Sequence, residues 1–359
     1  MLNIKFNVKK LVFSFFICGA ASFPVTGIAT LMKGAILILG VMVLIIEFSQ
    51  AKWIRLGVSK VVILYSIYCL IRINDIDFYS QKIFFNLLVL CLSVYLCRMV
   101  KFTINDAKYF AFWSGLFFAI VTAKELFIPS NEFGKLLVHT QLWNFVYALL
   151  VVGFPYKNVL MLLLTYAVSL RGALVALISS ISAKYVFRYK YLSPLAVFIL
   201  SICIIVIFFS LFSILKNYGS SGSMTWRLMH WSNLTVSLFE STGPLGSLWW
   251  GEGIGSSWRK LDSLNLYYLE KGKIIDVHSH YVKAFVDTGI IGLLLYAYCF
   301  YQICKYYLGT FYYKLVVVLT VFYVVNASFD DGLWEFSLYW FFILVVLNKS
   351  IKIRRGKHV

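Results

Sequence analysis

Residues 193–215 read SPLAVFILSICIIVIFFSLFSIL and contain no charged side chain. A membrane-spanning helix needs about 20 predominantly apolar residues, so this stretch alone predicts one crossing of a bilayer. Further apolar runs lie at about 11–31, 34–48, 58–73, 83–100, 110–127, 136–154, 282–304, 313–329 and 333–348.

The composition of the whole chain agrees with this interpretation. Of the 359 residues, 61% are apolar and 13% are charged, whereas soluble domains average about 45–50% and about 25%. So few charges cannot cover a water-facing surface of this size, which excludes a soluble enzyme. A disordered chain would have few apolar residues and many charges, so the composition also excludes disorder. The formal net charge of +18 comes without a basic patch in a nucleic-acid-binding fold, so we expect no nucleic-acid partner. The seven cysteines form no CxxC pair or Cys/His cluster, and neither a zinc site nor a disulfide is expected.

One apolar stretch, residues 158–183, is too long for one spanning helix and too short for two. It carries Ser169-Leu170-Arg171-Gly172 at its middle. The positive-inside rule assigns the basic residues on both sides, Lys157 and Lys184, to the cytoplasm. The stretch must therefore enter the membrane and return, as a short or re-entrant pair of arms that meet near Arg171.

The basic residues also set the overall topology. They place both termini in the cytoplasm, with the first apolar run kept as an uncleaved helix, and the whole net charge of +18 then falls on cytoplasmic positions. The sequence thus predicts an all-α polytopic membrane protein with about 12 membrane segments. Its predicted parts are an N-terminal membrane region (1–215), a large external loop with an amphipathic helix (216–281), and C-terminal membrane helices with a cytoplasmic tail (282–359).

Arg171 requires an explanation because a charge at the bilayer centre costs at least about 2.5–3.5 kcal/mol. One interpretation is that its side chain snorkels to the lipid headgroups. The other is that it faces a cavity beside a broken helix, whose free backbone N–H groups suit an anion.

The external loop contains a helical pattern and a glycine run. Arg227, Trp231, Leu234 and Leu238 recur at i, i+4, i+7 and i+11, which predicts one face of a helix lying at the membrane interface. Trp231 is then either an interfacial anchor or a flat surface for a sugar ring, and Arg227 contacts either headgroups or substrate. The run Gly251-x-Gly253-x-Gly255 is either an ordinary turn or a loop that presents N–H groups to a phosphate.

The loop ends in Asp276-Val277-His278-Ser279-His280, immediately before an apolar run. A histidine here can accept a proton near neutral pH. Asp276, His278 and His280 could instead bind a metal, although no third firm ligand is evident, or the histidines could be structural.

Three motifs in this order resemble the O-antigen ligase/polymerase superfamily, which handles lipid-linked bacterial glycans. They are Ser169-Leu170-Arg171-Gly172, Arg227-x-x-x-Trp231 with the glycine run, and His278-Ser279-x-Tyr281-Val282 followed by Asp287-x-Gly289-x-x-Gly292. The family shows Ser-Arg-Gly, Arg-x-x-x-Trp, and His-Asn-x-x-Leu with Glu-x-Gly. Here Leu170 is inserted, and Ser279, Val282 and Asp287 replace the asparagine, leucine and glutamate.

The resemblance implies a metal-independent glycosyltransferase without a cofactor, acting at the periplasmic face on a glycan carried by undecaprenyl diphosphate. Arg171 and Arg227 would bind the diphosphate, and His278, which has the family's spacing to Gly289, would act as the base. The supporting residues would be Asp276, Trp231 and His280.

The leading interpretation is a polysaccharide polymerase, which joins O-antigen or capsule repeat units on a lipid-linked acceptor, in concert with a chain-length regulator. The alternative is a ligase that transfers the glycan to lipid A–core. A transporter or flippase without chemistry would spread polar residues over several midplane helices, whereas here they concentrate in one loop and its neighbours. The expected location is the bacterial inner membrane, with membrane lipids as neighbours.

Overall fold

The computed structural model describes part of the chain, and all regular structure in that part is helical. The described residues are 59–77, 80–81, 83–84, 104–127, 157–167, 171–186, 193–215, 223–240, 244–264, 279–308 and 313–328, with positions 38, 41, 142, 145–146, 149 and 277. No strand occurs among them, which confirms the all-α prediction for these residues. The predicted spans at 11–31 and 333–348, and most of those at 34–48, 83–100 and 136–154, lie outside them.

Ten helices are described in this part of the chain. They are α1 (Ser59–Ile71), α2 (Ile104–Phe127), α3 (Lys157–Ala167), α4 (Arg171–Val186), α5 (Pro194–Leu215), α6 (Ser223–Glu240), α7 (Pro244–Trp250), α8 (Ser256–Leu264), α9 (His280–Tyr307) and α10 (Tyr313–Asn326).

Two of these helices are long and apolar enough to cross a membrane, over Pro194–Leu211 in α5 and His280–Lys305 in α9. Their surroundings differ. Helix α5 leaves Leu195, Ile199 and Val206 exposed, as a lipid-facing helix would, whereas most of α9 is buried within the protein. The predicted number of about 12 segments stays a prediction.

The chain divides into two compact units. The first contains α2, α3 and most of α4. Within it the rings of Phe118 and Phe145 stack with centroids 6.2 Å apart, and the Thr165 hydroxyl donates to the Met161 carbonyl at 2.8 Å. The described part of α3 ends at Ala167 and that of α4 begins at Arg171, and the turn that the sequence predicts near Arg171 stays a prediction.

The second unit contains α1 and α5–α10, and α9 is its central helix. Helices α1, α5, α6, α7, α8 and α10 all contact α9. Its core is aromatic: the ring of Tyr296 lies 4.9 Å from Phe300, 6.2 Å from Tyr65 and 6.4 Å from Tyr323. Helix α9 is kinked at Gly289, which has φ 66° and ψ −166°.

Candidate active site at the start of helix α9

The first turn of α9 is fixed by hydrogen bonds from its own cap and from α10. Ser279 is the N-cap, with extended backbone, and its hydroxyl accepts from the Val282 N–H at 3.4 Å. A serine is suited to this position because its oxygen satisfies an N–H group that the helix leaves unpaired. The His280 N–H donates to the Ala327 carbonyl at 2.9 Å, which ties the same turn to the end of α10.

Trp231 of α6 joins this segment from the other side. Its indole Nε1 donates to the Val277 carbonyl at 2.5 Å, and only 1% of the residue is exposed. Phe208 of α5 packs against both Trp231, at 5.4 Å between ring centroids, and Tyr281, at 5.8 Å. A buried tryptophan normally has a partner for its N–H group, and here that partner directly precedes His278 in the chain.

The helix that the loop pattern predicts is present as α6, and its apolar face is buried. Leu228, Trp231, Leu234 and Leu238 are all buried, while Arg227 is half-buried. Both predicted roles of Trp231, as an interfacial anchor and as a surface for a sugar ring, are wrong, because its ring packs inside the protein. Among the tryptophans whose side chains the structure describes, Trp249 and Trp250, at the end of α7, are exposed.

A buried pair of opposite charges lies one turn further along α9. Lys283 and Asp287 are both fully buried, and the Lys283 ammonium lies 3.6 Å from the ring centroid of Trp258. The Asp287 carboxylate accepts from the backbone N–H of Gly255 at 3.2 Å and of Ser257 at 2.8 Å. These donors form the N-terminus of α8, where the helix dipole favours a negative charge.

The glycine loop, residues 251–255, wraps around the kink of α9. Every backbone N–H from Gly251 to Arg259 donates within the protein. The acceptors are, in order, Ser247 O, Val286 O, Asp287 O, Arg72 O, Asp287 Oδ2, Gly253 O, Asp287 Oδ1 and, twice, Gly255 O. The alternative in which this loop presents N–H groups to a phosphate is therefore wrong, because each donor already has a protein acceptor.

The glycines of the loop are required by its backbone. Gly251, Gly253 and Gly255 have φ values of 71°, 107° and 89°, a region that residues with a Cβ rarely adopt. A Cβ on Gly289 would lie 2.3 Å from the Trp249 carbonyl oxygen, so the kink and the loop approach each other too closely for any side chain.

The segment 72–77, which follows α1, docks on the glycine loop. Arg72 Nη2 donates to the Gly251 carbonyl at 3.1 Å, and Asn74 Nδ2 donates to the Glu252 carbonyl at 2.9 Å. Arg259 of α8 forms ion pairs with Asp77 at 2.7 Å and with Asp75 at 3.3 Å.

The pKa of Asp77 reflects these contacts. Partial burial by itself would raise the pKa, but hydrogen bonds from Ser80 and Arg259 outweigh it and lower the pKa below its usual value. The ionised carboxylate is thus the form that the 72–77 segment stabilises.

The sequence-predicted site residues are described to different extents. Arg171 is the first residue of α4, in the first unit. The structure does not describe the side chain of Arg171, and it does not describe Asp276 or His278. Trp231 and His280 both join the segment that contains His278: Trp231 through Val277, and His280 as the first residue of α9. The His280 ring is buried against Tyr296, at 4.8 Å between centroids. Within the described residues, no group of three His, Cys, Asp or Glu side chains could hold a metal ion.

Lys283 is the site-proximal residue that sequence reasoning missed. The available signal was a lysine that accompanies Asp287 inside a mostly apolar run. Lys283 lies four residues before Asp287, which places both on one face of α9. A buried positive charge there reduces the cost of burying the negative charge, and the reverse also holds.

The described residues thus form an all-helical structure with two helices that could span a membrane, and its loop motifs are bonded to one central helix. Residues 158–297 match the family model described as Wzy_C, O-antigen ligase, which confirms the resemblance to the O-antigen ligase/polymerase superfamily. Members of this family are membrane proteins and glycosyltransferase-like enzymes, of ligase or polymerase type. No curated protein and no solved structure gives a significant match.

Proposed function

We propose that this protein is a polysaccharide polymerase of the bacterial inner membrane. It transfers a growing glycan from undecaprenyl diphosphate to a sugar hydroxyl of the next lipid-linked repeat unit, at the periplasmic face. The family match supports glycosyl transfer of the ligase/polymerase type, and the donor, the acceptor and the side of the membrane belong to this proposal.

The observation that carries the proposal is the bonding of the family-type motifs to one another. Trp231 of the Arg-x-x-x-Trp motif bonds to Val277, next to His278. Asp287 of the last motif bonds to Gly255 and Ser257, at the end of the glycine run. The second and third motifs, which are separated in sequence, are thus linked around the part of α9 before its kink, as residues that act on one substrate need to be.

The contact between the segment 72–77 and the glycine loop supports the proposed orientation. The positive-inside rule places both segments outside the cytoplasm. Their direct hydrogen bonds, among them Arg72 to Gly251 and Ile254 to Arg72, require that both lie on one side of the membrane.

The proposed reaction is a displacement at the anomeric carbon of the donor glycan. The acceptor hydroxyl oxygen forms the new bond to that carbon, while the bond from the carbon to the diphosphate oxygen breaks. The leaving electron pair stays on undecaprenyl diphosphate, and the hydroxyl proton passes to His278. A positioned base of this kind contributes about 10²–10⁴-fold to the rate.

Arg171 and Arg227 would stabilise the negative charge of the leaving diphosphate. The planar guanidinium forms paired, charge-assisted hydrogen bonds to phosphate oxygens, and cations that are already in place cost no reorganisation during the reaction. Asp276 and His280 support His278 in this proposal, with His280 acting through its buried position at the start of α9 and not through contact with substrate.

A ligase is the second candidate, because the matching family model carries the description O-antigen ligase. The ligase and the polymerase share the donor site and differ in the acceptor, which is lipid A–core for the ligase. The supply of acceptor is therefore the variable that distinguishes them.

The test uses the full chain, purified in detergent, with lipid-diphosphate-linked repeat units as the only substrate. A polymerase produces a ladder of longer chains, and His278→Ala abolishes it. Asn233→Ala, at an exposed position of α6, serves as the control and leaves the ladder unchanged.

A product that forms only when lipid A–core is added would show that the protein acts as a ligase and not as a polymerase. Undiminished ladder formation by His278→Ala would overturn the proposed mechanism. Strong inhibition by a chelator would contradict metal independence.

A further inference from the structure

Two hydrogen bonds from distant helices bracket the residue that the proposed function uses as the base. On the N-terminal side, the Trp231 indole donates to the Val277 carbonyl at 2.5 Å. On the C-terminal side, the His280 N–H donates to the Ala327 carbonyl at 2.9 Å. His278 lies between Val277 and His280 in the chain.

We propose that Trp231 is a positioning residue, whose indole N–H sets the backbone from which His278 reaches the acceptor hydroxyl. This inference rests on the proposed function of His278 as the base. Trp231 touches no reacting atom in this proposal and acts through the Val277 carbonyl.

The surroundings of Trp231 make it suitable for this role. Its ring packs against Phe208, which also packs against Tyr281. The hydrogen-bond donor and the first turn of α9 therefore contact the same side chain. The Ser279 hydroxyl accepts from the Val282 N–H, and the Tyr281 hydroxyl donates to the Val324 carbonyl. Because Trp231 and Val277 are both buried, the hydrogen bond places Val277 with little freedom.

Loss of the N–H group should reduce turnover and leave substrate binding intact. A small displacement of a catalytic group can cost about 100-fold in rate even when the mutation is remote from the chemistry. An effect confined to the chemical step lowers kcat and leaves KM for the donor unchanged.

The experiment compares kcat, KM for the lipid-linked donor, and thermal unfolding across tryptophan variants of the full chain. Trp231→Phe keeps an aromatic ring against Phe208 and removes the donor, and kcat should fall by about 10–100-fold. Trp249→Phe is the matched control, since 44% of Trp249 is exposed, and should behave as the wild type.

Two tryptophan analogues at position 231 separate the hydrogen bond from packing if Trp231→Phe does not fold. Benzothienylalanine replaces the indole N–H by sulfur at nearly the same shape, and kcat should fall. 5-Fluorotryptophan keeps the N–H, and kcat should be retained.

Wild-type kcat in the benzothienylalanine variant would overturn the positioning role while His278→Ala remains inactive. Full activity of His278→Ala would instead overturn the proposed function itself, so the two failures are distinguishable. A benzothienylalanine variant that loses kcat and thermal stability together would also overturn the positioning role, because such a loss indicates a structural tryptophan.

Discussion

The Asp287 carboxylate accepts a hydrogen bond from the backbone N–H of Ser257 at 2.8 Å, although the two residues are 30 positions apart. Asp287 replaces the glutamate of the family pattern, and the bond shows what the acidic group does here. It caps α8 from inside α9 and thereby attaches the end of the glycine run to the central helix.

We predict that Asp287→Asn destabilises the protein. The amide keeps one acceptor oxygen but loses the charge and replaces the second acceptor by a donor that faces the Gly255 N–H. Hydrogen bonds to charged groups contribute about 1.5–3 kcal/mol each, so the free energy of unfolding should fall by about that amount. Thermal unfolding in detergent measures this, with exposed Asp75→Asn as the control. Equal unfolding temperatures for Asp287→Asn and wild type would contradict the capping role.

We predict that Gly289→Ala prevents normal folding, whereas Gly253→Ala is tolerated better. Both positions have positive φ, but the added Cβ of Gly289 meets the Trp249 backbone, while that of Gly253 first meets the Asn74 side chain. A side chain can rotate away, whereas the backbone of a packed loop cannot. The yield of monodisperse protein after gel filtration compares the two variants. A higher yield for Gly289→Ala than for Gly253→Ala would contradict the close approach.

We predict that Arg171→Ala and Arg227→Ala each lower transfer by about 10²–10³-fold, as the removal of one stabilising donor does elsewhere. Lysine at either position should restore activity only in part, because it keeps the charge but lacks the planar fork. Transfer is measured with purified protein at matched amounts of folded enzyme. The control is Lys124→Ala, which removes an exposed cation from the last turn of α2. Full activity of Arg171→Ala would favour the interpretation that its side chain snorkels to the headgroups.

We predict an external location for reporters fused after Ser223 or Leu264, and a cytoplasmic location for fusions after Tyr189 or Gly309. The physical reason is the positive-inside rule, under which the whole net charge of +18 lies in the cytoplasm. Paired reporters that are active on opposite sides of the membrane provide the measurement. An external signal at Tyr189 would rule out the re-entrant pair around Arg171.

The features that sequence predicted well are those that local patterns encode. Helical periodicity identified Trp231, Leu234 and Leu238 as one face of α6, and that face is buried. The turn that charge and length indicate near Arg171 stays a prediction. Periodicity shows that a face is apolar, but not whether lipid or protein covers it, so the interfacial position predicted for Trp231 was wrong.

The contacts that sequence could not predict join residues far apart in the chain. Arg72 bonds to Gly251, 179 residues away, and Asp287 to Ser257. No local spacing shows that the glycine loop gives its N–H groups to protein acceptors, since the same glycines would suit a phosphate. The roles of Arg171, Arg227 and His278 remain predictions.

The non-helical backbone at Gly289 divides α9 into two segments. The segment of α9 before Gly289 is bonded to the glycine loop and to the end of α10, whereas the segment beyond Gly289 contributes Tyr296 and Phe300 to the aromatic core. A helix longer or shorter than the local hydrocarbon layer responds by tilting, and a left-handed residue is where such a tilt would be absorbed. We therefore expect turnover to vary little between liposomes of short and long acyl chains. A steep dependence of turnover on acyl-chain length would show that the two segments of α9 tilt together.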